Sequence, residues 1–301
     1  MSTLAIVNVP VATLWTAPGK ARELDAEALT NPQTLNKWLE KLPKPERLDL
    51  CDGNRIQSQV LYGEYVLIDE EQDGWAKVCV VHQKSDKDDR GYPGYIPVAQ
   101  LQEATVQTSE RYVIVTAPRA QLWQHGKPTI VVSFNTMLPY VVEDDKHFTV
   151  ETPHGLQQIL KAQSTVTASN AVGNPGTMVQ AVQHGLAFLD LPYLWGGMSS
   201  YGYDCSGFTY QMARSVGILM SRDADEQAKE GKEVNHLDRS EWQVGDVVFF
   251  SDEPGVKPVR HVAFYFGDGQ ILHSHSTGLP VEILALEGSK LDKEVCAVRR
   301  F

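Results

Sequence analysis

The sequence predicts a multidomain chain in which two small β modules precede an α+β domain. Three observations predict it. A chain of 301 residues is too long for one ordinary core. Its first 165 residues are rich in β-branched and aromatic residues, cut by Gly and Pro, and carry an internal echo. Its remainder alternates helical periodicity with short apolar runs.

Composition sets the outer bounds. With 42% hydrophobic and 22% charged residues the chain reads as a soluble globular protein, and no apolar run is long enough to span a bilayer. A formal charge of -11 argues against nucleic acid or an anionic membrane as the main partner. Cys51, Cys79, Cys205 and Cys296 form no C-x-x-C pair, so neither a disulfide framework nor a metal site is expected, and a reducing compartment suits them. The stretch MSTLAIVNVPVATLW has no basic start and no long apolar core, so no secretory signal is expected and the cytoplasm is the expected location.

The first module covers residues 1–104, with strands expected at Tyr65–Ile68, Trp75–Val81 and Tyr95–Pro97. A helical insertion is expected at about 24–46. There Asn31-Pro32 has the form of a helix start, and Leu35, Trp38, Leu39 and Leu42 keep helical spacing up to Pro43. The second module covers residues 105–165. Pro10-Val-Ala-Thr-Leu-Trp15 returns as Pro118-Arg-Ala-Gln-Leu-Trp123, and GYIPVAQL from Gly94 is echoed by GLQQILKA from Gly155. Two echoes in one order predict a duplicated module. Small polar residues at 166–173 read as a linker.

The third domain covers residues 174–301. Asn174-Pro175 reads as a helix start, with Met178, Val182, Leu186 and Leu189 as its buried face and His184 at the surface. Residues 196–203 read as an irregular loop. Asp204 is a good N-cap, which makes Cys205 the first residue of a helix carrying Phe208, Met212, Val216 and Leu219 as its stripe. A thiol there meets the positive end of the helix dipole and free backbone N–H groups, and both are expected to favour thiolate near neutral pH. Residues 221–232 read either as a solvated charge run or as a segment with a substrate role, with Arg222 and Asp223 heading a short helix.

Strands follow. Val247–Phe250 is one, and Arg260–Phe266 with Gln270–His275 reads as a hairpin around Gly267-Asp268-Gly269. A two-residue turn at Asp268-Gly269 would put His261 and His273 on opposite faces. A three-residue loop with Gly269 left-handed would set Ala263 across from His273, with His261 a diagonal neighbour roughly 7–8 Å away. His275 would then share the face, directly across from His261. A cysteine heading a helix, followed by two or three histidines on one face, has the ingredients of a nucleophilic site.

These motifs resemble known families. The two β modules resemble bacterial SH3-type barrels. Tyr193-x-Trp195-Gly-Gly, Asp204-Cys-Ser-Gly-Phe208, Gly245-Asp246, His261-Val-Ala-x-Tyr265 and Ile271-Leu-His273 resemble the NlpC/P60 cysteine peptidases, whose fold is an α+β papain-like domain. With two SH3-like modules ahead, the chain is similar to γ-D-glutamyl-L-diamino acid endopeptidases. The resemblance implies Cys205 as nucleophile, His261 as general base and His273 as the polar residue orienting it, while the residues alone leave His275 open for that last role. It implies oxyanion donors at the Cys205 N–H and Tyr193, and Trp195 as a groove wall. Glu64 and Asp223 are implied partners for a substrate ammonium, Tyr92 closes the groove end, and Asp204, Ser206 and Arg222 touch the peptide. Ala224 stands where close relatives are expected to have serine, which removes one hydrogen bond to the peptide.

The implied substrate is a short murein peptide with free N-terminal L-Ala, cut to release L-Ala-γ-D-Glu during cell-wall peptide recycling, with no cofactor, no metal and no obligate protein partner. An exported hydrolase of intact wall, a non-catalytic wall-peptide binder and an acyltransferase on the same core are the alternatives.

Overall fold

The structure, a computed structural model, describes residues 2–104, 109–167 and 173–301. The chain divides into two compact units: Met1–Ala171 with Met198–Tyr201, and Val172–Gly197 with Gly202–Phe301.

The first unit holds two seven-stranded sheets. One contains β1 (Thr3–Val7), β2 (Val11–Trp15), β3 (Ile56–Leu61), β4 (Tyr65–Gln72), β5 (Trp75–Val80), β6 (Tyr92–Pro97) and β7 (Leu101–Glu103), in the order β3-β2-β6-β5-β4-β1-β7. The other contains β8 (Tyr112–Val115), β9 (Arg119–Gln124), β10 (Lys127–Ser133), β11 (Met137–Glu143), β12 (His147–Thr152), β13 (Gly155–Leu160) and β14 (Ser164–Thr167), in the order β10-β9-β13-β12-β11-β8-β14. Adding seven to each label of the first order gives the second, so the topology is duplicated. The echoed letters fall on equivalent strands: Trp15 ends β2 where Trp123 stands in β9, and the second echo runs through β6 and β13. Each sheet closes on its own apolar cluster, Val7, Leu14, Val66 and Ile96 in one, Leu122, Val132, Val150 and Ile159 in the other.

The helical insertion is longer than the sequence predicts. Short 3-10 turns and α1 (Ala26–Leu29), α2 (Leu35–Glu40) and α3 (Lys44–Asp52) fill Pro18 to Asp52. Pro43 starts α3 instead of ending the helical segment, because a proline at a helix start gives up no intrahelical hydrogen bond. Asn31-Pro32 also does not open a helix. α2 begins after Thr34, and the Asn31 amide donates to Asn8 Oδ1 (3.1 Å) and the Ala99 carbonyl (2.9 Å), anchoring the insertion. Of the expected linker, Val166 and Thr167 belong to β14, and 168–172 lie outside the described residues, as do 105–108 at the expected module boundary.

Glu64 and Tyr92 are in this unit and are buried. The Leu61 N–H donates to Glu64 Oε2 at 2.9 Å. The Tyr92 hydroxyl meets Gln57 Oε1 (3.1 Å) and the Lys87 ammonium. Residues Met198–Tyr201, which contain β15 (Met198–Ser199), join the unit through Gln59, whose Oε1 accepts from the Met198 N–H and the Ser199 hydroxyl, both at 3.0 Å.

The second unit is an α+β domain. It contains β16 (Gly202–Tyr203), α4 (Met178–Gly185), α5 (Cys205–Ser215), α6 (Ala224–Gln227) and an antiparallel sheet. That sheet has β17 (Lys232–Val234), β18 (Val247–Phe250), β19 (His261–Gly267), β20 (Gln270–Ser274), β21 (Val281–Ala285) and β22 (Val295–Arg300) in the order β17-β22-β18-β19-β20-β21. One sheet face meets the helices: Phe208 of α5 packs edge-on against Phe264 at 6.0 Å, and a Cβ on Gly185 would strike Phe208 and Leu272. On the other face Val248, Ala263, Ile271 and Val298 cluster with Trp242 and Leu286.

Two helix readings need correction. Thr177, not Asn174, caps α4 through a box with Gln180, and the helix ends at Gly185, so Leu186 and Leu189 are exposed while Phe188 turns inward. α5 stops at Ser215 because Gly217 takes φ +78 and closes a Schellman motif: its N–H bonds Arg214 O, and the Ile218 N–H bonds Ala213 O, both at 3.0 Å. Leu219 therefore falls beyond the helix and is 53% exposed, while Phe208, Met212 and Val216 are buried as expected.

Candidate active site

The loop before Cys205 is a folded, buried element. Leu194 N–H bonds Tyr203 O (3.1 Å) and Asp204 N–H bonds Gly197 O (3.1 Å), so the chain doubles back on itself. Only glycine fits at 197, where a Cβ would lie 2.2 Å from the Gly202 oxygen. The turn delivers Asp204 as the N-cap of α5, with its Oδ1 accepting from the Gly207 N–H at 2.6 Å. Arg222 then grips the cap. Its Nη2 lies 2.6 Å from Asp204 Oδ2, and its Nη1 donates to Ser206 Oγ at 2.9 Å and Asp204 Oδ1 at 3.2 Å. Arg222 is 1% exposed, so the solvated reading of its segment fails at this residue, while Asp225, Lys229 and Lys232 are exposed. A paired, hydrogen-bonded guanidinium can be buried where a lone one cannot.

Cys205 sits at the head of α5, 8% exposed. Backbone N–H groups of Ser206 and of Val262 meet its sulfur, and Val262 follows His261 in β19. Burial pushes the thiol up to about 12, the Asp204 carboxylate adds to the push, and the two N–H groups and Arg222 pull the other way. The expectation of a thiolate at neutral pH is therefore corrected: the desolvation of a buried sulfur outweighs the helix terminus.

The histidines share one face, by a route that combines the two anticipated turns. Asp268 and Gly269 have φ +49 and +72, a two-residue turn, while the register passes from Tyr265↔Ile271 to Gly267↔Gln270 and leaves Phe266 unpaired. That bulge in β19 shifts the strand by one residue and restores the common face that the turn alone would destroy. His261 Nε2 is hydrogen-bonded to His273 Nδ1 at 2.8 Å. The His275 ring lies 6.3 Å from that of His261 and 4.9 Å from that of His273. Ser274 Oγ donates to Tyr203 O at 2.8 Å, tying this hairpin to the residue before Asp204. Burial, reinforced by His273, His275 and Arg260, holds His261 well below the ordinary imidazole range, and burial with His275 takes His273 down to about 3. Burial therefore favours the uncharged form of the thiol and of both imidazoles.

The remaining candidates of this unit are Tyr193, Trp195 and Asp223. Tyr193 is buried, with its N–H bonded to Leu279 O at 3.0 Å, and Trp195 is half-exposed. Asp223 precedes α6 without capping it. His184, off the centre, bonds Ser215 Oγ through Nδ1 at 2.7 Å. Sequence reasoning missed Gln227, fully buried, whose Nε2 donates to Ser206 O (3.1 Å) and Ser221 O (2.8 Å) beneath the cap. It also missed Glu282, which pairs across strands with His273. The alternation of Val281–Ala285 was the available signal for Glu282, while nothing in the letters marked Gln227.

A family model described as the NlpC/P60 family matches residues 190–300, and one described as the YKFC SH3b2 domain matches residues 115–166. A γ-D-glutamyl-L-lysine dipeptidyl-peptidase of Bacillus subtilis is 41% identical over 291 residues, covering 96% of each chain. One of the same name from Bacillus cereus is 36% identical over 305 residues, covering 99% of this chain and 90% of the relative. A crystal structure of an NlpC/P60 family protein from Bacillus cereus matches with a TM-score of 0.92 and 36% identity, covering 99% of each chain. This chain belongs to the NlpC/P60 family of cysteine peptidases.

Proposed function

We propose that this peptidase cuts the γ-D-glutamyl-L-diamino acid bond of short murein peptides bearing a free N-terminal L-Ala, and releases L-Ala-γ-D-Glu. The observation that carries the reading is Cys205 at the head of α5, which packs on β19, the strand that His261 heads, with His261 Nε2 bonded to His273 Nδ1 at 2.8 Å. Full-length relatives named γ-D-glutamyl-L-lysine dipeptidyl-peptidase support the substrate class.

The hydrogen bond to His273 supports one division of roles. When His261 donates Nε2–H to His273 Nδ1, its Nδ1 lone pair is left to take the Cys205 proton. Because thiol and imidazole both rest neutral, that transfer is coupled to attack on the γ-glutamyl carbonyl, and the charge passes to the developing oxyanion. The Cys205 N–H and the Tyr193 phenol stabilise that oxygen, and one such donor is worth on the order of 10²–10³ in turnover. The imidazolium then protonates the leaving amine, and water hydrolyses the thioester with His261 as base, a function worth roughly 10²–10⁴. Arg222 fixes Asp204 and Ser206 beside the nucleophile, Asp223 pairs with the substrate ammonium, and Trp195 walls the groove. Four free thiols support a role in a reducing compartment, where the enzyme would recycle wall peptides.

Mass spectrometry of products from L-Ala-γ-D-Glu-L-Lys, its diaminopimelate analogue and their N-acetylated forms tests this. Release of L-Ala-γ-D-Glu from the free peptides is expected, with acetylation costing about 10²-fold or more in kcat/KM. Equal cleavage of free and acetylated peptides would overturn the specificity.

A further inference from the structure

We infer that His273, His275 and Glu282 form a binding site for a zinc-like divalent metal ion, and that its occupation switches the peptidase off. The site goes beyond the proposed hydrolysis, since no step of that reaction uses His275 or Glu282.

The geometry is that of an open three-ligand centre. His273 and Glu282 are direct cross-strand partners on β20 and β21, and His275 follows His273 on the same face. Glu282 Oε1 lies 3.7 Å from His273 Nε2 and 4.0 Å from His275 Nε2, and the three ligand atoms all lie within 4.8 Å of one another. Donors around a tetrahedral zinc at its usual bond lengths are roughly 3.3 Å apart, so the three side chains must draw together to close the set. His273 Nε2 is buried and has no hydrogen-bond partner among the described residues, although it points at the carboxylate. The His275 and Glu282 side chains keep 31% and 35% exposure, which gives an ion a way in and room for a water as fourth ligand. Two histidines and one glutamate with an open position suit zinc, and cobalt can replace it as a probe.

Occupation would reverse the hydrogen bond on which His261 depends. A metal on Nε2 leaves neutral His273 with its proton on Nδ1, which then donates to His261 Nε2. Neutral His261 in turn carries its proton on Nδ1 and cannot accept one from Cys205. The two imidazoles hold two protons before and two after, so no net proton is released, and the base is lost by tautomer exchange alone.

Cobalt titration of the Cys205→Ala protein reads the site without needing any substrate. One equivalent should bind, giving visible d–d bands and no sulfur charge-transfer band. In hydrolysis assays zinc should inhibit the wild type, while His275→Ala and Glu282→Gln keep metal-free activity and need at least about tenfold more zinc. Competition with a chromogenic chelator should show the same loss of affinity in those variants. No cobalt uptake by Cys205→Ala, or equal zinc sensitivity in all three active proteins, would overturn the inference by assigning any inhibition to Cys205 and His261.

Discussion

Cys205 is pulled in two directions, and magnitude decides between them. A helix terminus contributes about 0.3–1 kcal/mol toward an anion, up to about 2 in partly buried geometries, whereas one pKa unit corresponds to about 1.4 kcal/mol. A thiol raised from 9.0 to about 12 therefore lies beyond what the dipole can offset. The sign follows directly: a raised thiol pKa leaves little thiolate at pH 7, and that fraction grows tenfold per pH unit until about 12. Iodoacetamide labelling at Cys205, located by peptide mass spectrometry in substrate-free protein, should accelerate steadily from pH 7 to 10. A rate already flat at pH 6 would mean a preformed thiolate. The letters Asp204-Cys205 made the helix head legible, but the depth of burial was not, because it depends on elements distant in sequence.

At the scale of elements, a buried ion pair between Arg222 and Asp204 helps to hold the head of α5. Removing a single partner strands a charge in the interior, which typically costs 3–5 kcal/mol. Arg222→Met should therefore destabilise the protein by about that much in urea unfolding, and adding Asp204→Asn should restore at least about 1 kcal/mol, since the amide still caps Gly207 without needing a countercharge. A single variant within about 1 kcal/mol of wild type would contradict the role of the pair. Arg222 was legible as a site residue only by resemblance, since a polar run read alone suggests solvent. The hairpin teaches a related lesson. Gly267-Asp268-Gly269 announced a turn, but the bulge that aligns the histidines sits at Phe266, in a strand whose letters do not distinguish it from its neighbours. Pro43 misled for a similar reason, since proline ends one helix and begins another with equal ease.

At the scale of the molecule, a few echoed letters carried much information. Pro10–Trp15 and Pro118–Trp123 marked a duplication that the two strand orders repeat in full, because topology constrains where small, apolar and aromatic residues recur along each strand. The ends of the helical insertion were less legible, since its short helices are fixed by packing such as the buried Trp38, whose Nε1 donates to Asp25 Oδ1 at 2.8 Å. Among the described residues no helix is long and apolar enough to cross a membrane. All the chemistry proposed for this chain passes through one sulfur. The most direct test compares wild type with Cys205→Ala on L-Ala-γ-D-Glu-L-Lys, following L-Ala-γ-D-Glu release while circular dichroism monitors the fold. The variant should remain folded and release no dipeptide; a folded variant that still cuts the γ-glutamyl bond would contradict the account.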